Sequence, residues 1–225
     1  MSKIFSVAIV LICVTCNLCF SQIIVDDPSF SYTSPNDGNA VFGAIKKDNK
    51  SQIILLGGNK GIVKIDSLGK KIPSFYQGSF QYNVYNSMRG LMETSDSKIL
   101  AFGCFPGYQT HSSVSLVRVF PNGTVDPSFV SPLSGNSSHV RAVAELPDGT
   151  YICAMGGPVS TTVITRLNND GSYDPNFVSP YSGSLQDVAE FIVQPDSSVL
   201  IVFENFIQKL NYDGTIDNSF NSTAV

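Results

Sequence analysis

Beyond the first twenty-one residues, apolar positions fall in short runs of four to eight residues, rich in Val, Ile, Phe and Tyr. Gly, Pro, Asn and Asp bound each run, the pattern of strands joined by tight turns. No stretch of about ten or more residues in this part shows unbroken helical periodicity, so little helix is expected. One stretch sets the template. Val140 to Leu146 precedes a turn at Asp148, and Thr150 to Met155 follows it. Thr161 to Asn168 then leads to a second turn at Asn169-Asp170-Gly171, and a short fourth strand ends at Phe177. Such turn residues tolerate the positive φ that tight hairpins need.

The template recurs. Residues 118–129 (RVFPNGTVDPSF), 166–177 (RLNNDGSYDPNF) and 209–220 (KLNYDGTIDNSF) are copies of one segment. A worn copy, KIDSLGKKIPSF, lies at 64–75, and a bare ending, DDPSF, at 26–30. The closing residues Phe30, Phe75, Phe129, Phe177 and Phe220 are spaced by 45, 54, 48 and 43 residues. A second element, an Asp turn followed by an apolar run, recurs at Asp48, Asp96, Asp148 and Asp196. Four antiparallel strands every 43 to 54 residues is the size of a propeller blade, which needs neighbours to bury its faces. The expectation is an all-β, β-propeller-like array of four four-stranded antiparallel blades, with repeats at about 31–75, 76–129, 130–177 and 178–220. Five endings serve four units, which leaves a closed four-blade ring and an open arc as alternatives.

Arg166-Leu167-Asn168 through Asp170-Gly171-Ser172 to Asp174-Pro175-Asn176-Phe177 resembles the delta-60 repeat, a β-propeller family. The resemblance spans roughly residues 26–220. The first copy departs from it, with Ile72 in place of the Asp and Leu68 before the turn glycine. The resemblance implies a fold and carries no single reaction.

Residues 1–21 read as a secretory signal peptide: Lys3, an apolar run from Ile4 to Phe20, and small residues Cys19 and Ser21 before a cut at Gln22. Residues 22–225 then form the repeat domain of a secreted, extracellular protein with no stable membrane insertion. Cys13, Cys16 and Cys19 leave with the peptide; Cys104 and Cys153 remain, as a disulfide or as two buried thiols. Charged residues are only 14% of the chain against 43% apolar, so disorder from charge excess is excluded. The net charge of −4 argues against nucleic-acid binding.

Candidate chemistry is sparse. Lys64, Arg118, Arg166 and Lys209 recur once per unit, and Asp126, Asp174 and Asp217 follow the turns of three units. They form either a ring of charges facing a ligand or a tie between strands, and once-per-unit recurrence favours the tie. Asn168 to Asp174 partly resembles a calcium loop but lacks the closing bidentate acid, so it reads as a hairpin turn, and neither metal nor cofactor is expected. His111 and His139 lie near serines without a nucleophile elbow. Glu93, Glu145, Glu190 and Glu204 sit in or beside strands. Asn49, Asn122, Asn136 and Asn221 head glycosylation sequons.

Up-and-down connectivity gives each blade array two faces. One carries the short, stereotyped turns. The other carries longer, varied loops holding Tyr76, Tyr82, Tyr85, Tyr108, His111, His139 and Tyr181. Tyrosine combines contact area with a polar tip, which suits recognition. The expected function is a non-enzymatic module that binds a protein or glycan through this face, with self-association if the array is open. The alternatives are a propeller-type hydrolase or lyase with carboxylates about a central channel, and a structural extracellular component or piece of a longer array.

Overall fold

A computed structural model describes residues 41–47, 52–57, 61–66, 68–76, 78–81, 87–112, 115–133, 139–156, 162–181 and 188–220. The expected leader, the ending at 26–30, and Asn49, Tyr82, Tyr85, Asn136 and Asn221 lie outside the described residues. The described part is all β, without an α-helix.

The strands are β1 (Val41–Lys47), β2 (Gln52–Gly57), β3 (Gly61–Ile65), β4 (Ser87–Glu93), β5 (Ile99–Cys104) and β6 (Leu116–Val119), then β7 (His139–Glu145), β8 (Tyr151–Gly156), β9 (Thr162–Leu167), β10 (Val188–Val193), β11 (Val199–Phe203) and β12 (Ile207–Leu210). They form four antiparallel sheets in sequence order: β1-β2-β3, β4-β5-β6, β7-β8-β9 and β10-β11-β12.

The expected four-stranded blades are corrected to three strands each. The fourth strand shrinks to a single bridge, Val119 with Val125, Leu167 with Tyr173, and Leu210 with Ile216. The cause is local. After one backbone bond (Asp126 N–H to the Arg118 carbonyl, 2.9 Å), the Asp126 carboxylate captures the Ser128 N–H at 3.0 Å. Pro127 between them has no N–H to extend a ladder. The chain therefore turns off at once.

Central strands alternate between two cores. Ile99 and Ala101 of β5 face the first sheet, while Leu100 and Phe102 face the third. Tyr151, Cys153 and Met155 of β8 face the second sheet, while Ile152 and Ala154 face the fourth. Every residue of β5 and β8 is buried, as the two-sided packing of stacked sheets requires. Neighbouring sheets pack chiefly through β1 on β4, β5 and then β4 on β7, and β7 on β10. Among the described residues no comparable interface joins the fourth sheet to the first.

The closing phenylalanines enter these cores. Phe75 lies between sheets one and two, Phe129 between two and three, and Phe177, partly buried, between three and four. The residue after each is held by the next unit's turn: Tyr76 N–H donates to the Asn122 carbonyl (2.7 Å), Val130 to Asp170 (2.9 Å) and Val178 to Asp213 (3.1 Å). At Gly171 φ is +89°, and a Cβ would lie 2.3 Å from the Val130 carbonyl oxygen. Only glycine admits that approach.

Candidate functional site

The two faces differ in construction. On the turn face, side chains are spent on holding the sheets together. Arg118, 1% exposed, donates Nε to Asp126 Oδ2 at 2.8 Å. Its Nη1 reaches into the next unit, donating to the Tyr151 hydroxyl at 3.1 Å and the Asn169 carbonyl at 2.6 Å. Its guanidinium lies 4.8 Å from the Phe129 ring centroid. Arg166 repeats the arrangement with Asp174 (2.7 Å) and the Tyr212 carbonyl (2.6 Å). The recurring cation and acid are thus a tie between strands and between units. The turn at Asn168–Asp174 closes on protein groups, Asp170 accepting from the Ser172 N–H and hydroxyl. Glu145 also serves this face, accepting from the Ser95 N–H (2.6 Å) and hydroxyl (2.8 Å) of the preceding sheet.

Two of the tyrosines expected on the loop face are elsewhere. Tyr108 is wholly buried: its ring packs 4.8 Å from Phe80, and its hydroxyl accepts from the Gly78 N–H at 3.1 Å. Burial pushes its phenol up to about 12. Residues 78–81 and the loop after β5 fold on one another (Gln81 N–H to Gly107, Gln109 N–H to Ser79), and the tyrosine closes that layer. Tyr76 is 56% exposed, but its backbone is anchored beside Asn122 and so lies at the turn face. Asn122, the described sequon residue, is exposed in that joint and accepts from the Thr124 N–H and hydroxyl.

His111, His139 and Tyr181 remain at the loop end. His111 is exposed in a small bridge with Tyr108. His139 opens β7 and lies over Gly156, where a Cβ would meet its Nε2 at 2.3 Å. Tyr181 is half-buried, its ring 6.0 Å from Phe203, which stacks on Phe206 at 4.4 Å. The Tyr181 hydroxyl is buried and finds no acceptor or donor among the described residues.

Sequence reasoning missed the β-bulges. Each first strand slips register near its loop end, at Phe42, Arg89, Arg141 and Ala189. Bulges re-aim side chains. Two of the four carry arginine, in the adjacent, mutually packed strands β4 and β7. Arg89 is exposed and Arg141 half-buried; burial, then the field of Arg89, holds the Arg141 guanidinium below its usual pKa. Alternation of apolar and polar positions gives no signal for these bulges. Glu93 and Glu145 are the last residues of β4 and β7, at the turn face, while Glu190 lies in β10 and Glu204 just past β11. Cys104 and Cys153 are both free thiols, in different strands, and burial raises both pKa values. Among the described residues no three His, Cys, Asp or Glu side chains come together to hold a metal ion.

Residues 94–129 and 147–177 match a family described as a β-propeller domain of unknown function. No curated protein matches the chain. Among solved structures, the chain is similar to PorZ, a bacterial surface component of the type-IX secretion system of Porphyromonas gingivalis, at 13% identity and TM-score 0.52, covering 85% of this chain and 29% of that one. It is similar to regucalcin of Agrobacterium tumefaciens, a calcium-binding protein, at 12% identity and TM-score 0.50, covering 82% and 58%. A gluconolactonase of Xanthomonas campestris follows at 16% identity and TM-score 0.49, covering 80% and 59%. The chain thus spans less than two thirds of these proteins. The family match and the likenesses to PorZ and regucalcin support a β-propeller-type fold. They also correct the expectation of a non-enzymatic chain. An enzyme stands among the similar structures, and at these identities the likeness concerns fold alone, so the architecture gives no ground for excluding catalysis.

Proposed function

We propose that this chain is a secreted repeat protein of the delta-60 type whose loop-bearing face binds a protein or glycan ligand. One observation carries the reading: the division of labour between the faces. Turn-face side chains are engaged in joining sheets, through Arg118, Arg166 and Glu145. At the loop end stand the exposed His111 and Arg89, the half-buried His139 and Arg141, and Tyr181 and Phe206 packed on the buried Phe203. Binding residues gather on loops held by a rigid scaffold. Secretion is supported by Lys3, the apolar run after it and the small residues before Gln22.

The test is binding of the chain from Gln22 onward to arrays of glycans and of extracellular proteins. A ligand should be lost by at least about tenfold on His111→Ala combined with Phe206→Ala, the scale of a single interface anchor. Tyr173→Ala, next to the turns on the opposite face, should leave it unchanged. Equal losses from both faces, or none from the loop-end pair, would overturn the reading. The same face would present a substrate as well as a ligand, so lactone and glycoside turnover belongs in the experiment. Turnover abolished by the loop-end pair would make the bound molecule a substrate.

A further inference from the structure

We propose that the outer face of the fourth sheet is the contact surface for a second copy of this chain, the two fourth sheets packing face to face about a two-fold axis. This surface is independent of the loop-face reading.

Register identifies the face. Ile192 of β10 pairs with Leu200 of β11, as Met92 pairs with Leu100 and Ala144 with Ile152. The two earlier pairs are core: Met92 and Leu100 pack toward the third sheet, and Ala144 and Ile152 toward the fourth. The third pair points outward, because Val199, Ile201 and Phe203 turn the opposite side of β11 to the third sheet. Ile192 is 43% exposed, and Leu200 and Val202 are half-buried. Phe220, the counterpart of the wedges Phe129 and Phe177, is half-buried as well. A terminal unit of a stacked array ordinarily turns a polar face to water. This one keeps the apolar side chains that join sheets inside the chain, and their burial is the main force available for association.

Two features of the chain choose the occupant. A further repeat unit would be gripped by the third-strand cation, as Arg118 Nη1 grips the Asn169 carbonyl and Arg166 Nη1 the Tyr212 carbonyl. The fourth unit has Lys209 there, without a guanidinium fork, and its ammonium turns back to Asp217 (3.3 Å) and Asp196 (3.9 Å) of its own unit. The matching face of the first sheet is also closed. Val63 and Ile65 stand where Val117 and Val119 face the preceding sheet, and they are 5% and 0% exposed. Copies joined head to tail would need that face open. The fourth-sheet stripe can meet its own image instead, and a two-fold contact of this kind stops at two copies. Glu190, paired with Val202 toward the loop end, puts a charge at the rim of the stripe.

The experiment is sedimentation equilibrium of the chain from Gln22 onward at rising concentration. The mass should climb to that of a dimer and stay there. Ile192→Glu sets an anion on both sides of the contact and should raise the dissociation constant by at least about thirtyfold; the neutral Ile192→Asn should raise it by at least about tenfold. Both variants should keep the wild-type circular-dichroism spectrum, because the side chain is open to water in a single copy. Val130→Glu, at an apolar position 66% exposed beside another joint, should leave the constant unchanged. A monomer at every concentration, a mass that grows past the dimer, a constant unmoved by the Ile192 variants, or an equal loss from Val130→Glu would each overturn the proposal. Should Ile192→Glu misfold, Ile192→Asn decides alone.

Discussion

The joint between the second and third sheets and the far end of the fourth sheet are written in nearly the same residues. Asp126-Pro127-Ser128-Phe129 and Asp217-Asn218-Ser219-Phe220 form the same turn, with the Ser N–H 3.0 and 2.9 Å from the carboxylate. Their surroundings differ. Arg118 is 1% exposed and tied to the next unit; its counterpart Lys209 is 24% exposed in its side chain and engages acids of its own unit, Asp217 at 3.3 Å and Asp196 at 3.9 Å. All of β5 is buried, whereas Leu200 and Val202 of β11 are half-open. Phe129 is buried and Phe220 is half-buried. The local conformation is a property of the segment, and its energy is a property of the neighbour.

The largest effect should come from cutting the buried tie. Arg118→Ala leaves the buried Asp126 with Lys98 as its one remaining cation among the described residues and strips the Asn169 carbonyl of its donor. Breaking a buried pair in this way costs about 3–5 kcal/mol. Lys209→Ala, at a partly exposed pair, should cost about 0–1 kcal/mol. Urea unfolding of both variants measures the difference, and equal costs would break the comparison.

Next come the glycines. Gly149 and Gly171 share a positive φ, +80° and +89°, but not their space. An added Cβ at Gly149 meets only a side-chain nitrogen at 3.5 Å, while at Gly171 it meets the Val130 carbonyl at 2.3 Å. Gly149→Ala should cost about 1–2 kcal/mol for the left-handed backbone. Gly171→Ala adds the cost of pushing two units apart, for a total of about 2–4 kcal/mol. Equal destabilisation would show that the tail and turn are not pressed together.

Acid should separate the same two regions. Burial works against the Asp126 carboxylate, but the Ser128 hydroxyl and N–H, Lys98 and Arg118 outweigh it and hold the group at about 2. An aspartate depressed in the folded state stabilises above its unfolded pKa of about 3.9 and loses that contribution as pH falls. Wild type should therefore exceed Asp126→Asn in urea midpoint by a constant margin above pH ~5. The margin should close as pH drops through about 2. Asp217 is lowered as well, chiefly by the Ser219 hydroxyl and N–H, but it stands at the open end. Its Asp217→Asn margin should be the smaller at every pH, and a margin as large as that of Asp126 would refute the role of the neighbouring sheet.

The repeat, its strands and its closing phenylalanines were legible because each is a local pattern copied several times. Phe75 and Phe129 are buried as core plugs, and Phe177 partly so, since three successive sheets cover them. The fourth strand was over-read because Val125 and Tyr173 have strand character, while the aspartate one position on diverts the backbone. Tyr108 was misjudged for a related reason. Loop length and tyrosine content look the same whether a loop folds on itself or opens to solvent, and the hydroxyl's partner, Gly78, lies thirty positions away, next to Phe80. The arginine pair was out of reach because it depends on bulge register, which alternation alone does not reveal.

The smallest effect lies in the turns between first and second strands. Ser97 and Ser197 occupy the left-handed region at φ 66° and 65°, the position that Gly149 fills in the third sheet. Non-glycine residues there carry about 1–2 kcal/mol of strain. Glycine relieves it and returns about 0.4–1 kcal/mol through the greater freedom of the unfolded chain. Ser97→Gly and Ser197→Gly should each stabilise by about 0.5–1 kcal/mol. Ser97 belongs to the enclosed second sheet and Ser197 to the open fourth, and both turns close with the same backbone bonds, Thr94 N–H to Lys98 and Gln194 N–H to Ser198 at 2.9 and 2.8 Å. The two gains should therefore be equal within about 0.3 kcal/mol, the scatter expected of independent sites. If denaturant midpoints show Ser97→Gly gaining well more than Ser197→Gly, the neighbouring sheet shapes the turn itself, and the separation of conformation from burial drawn between these two regions fails.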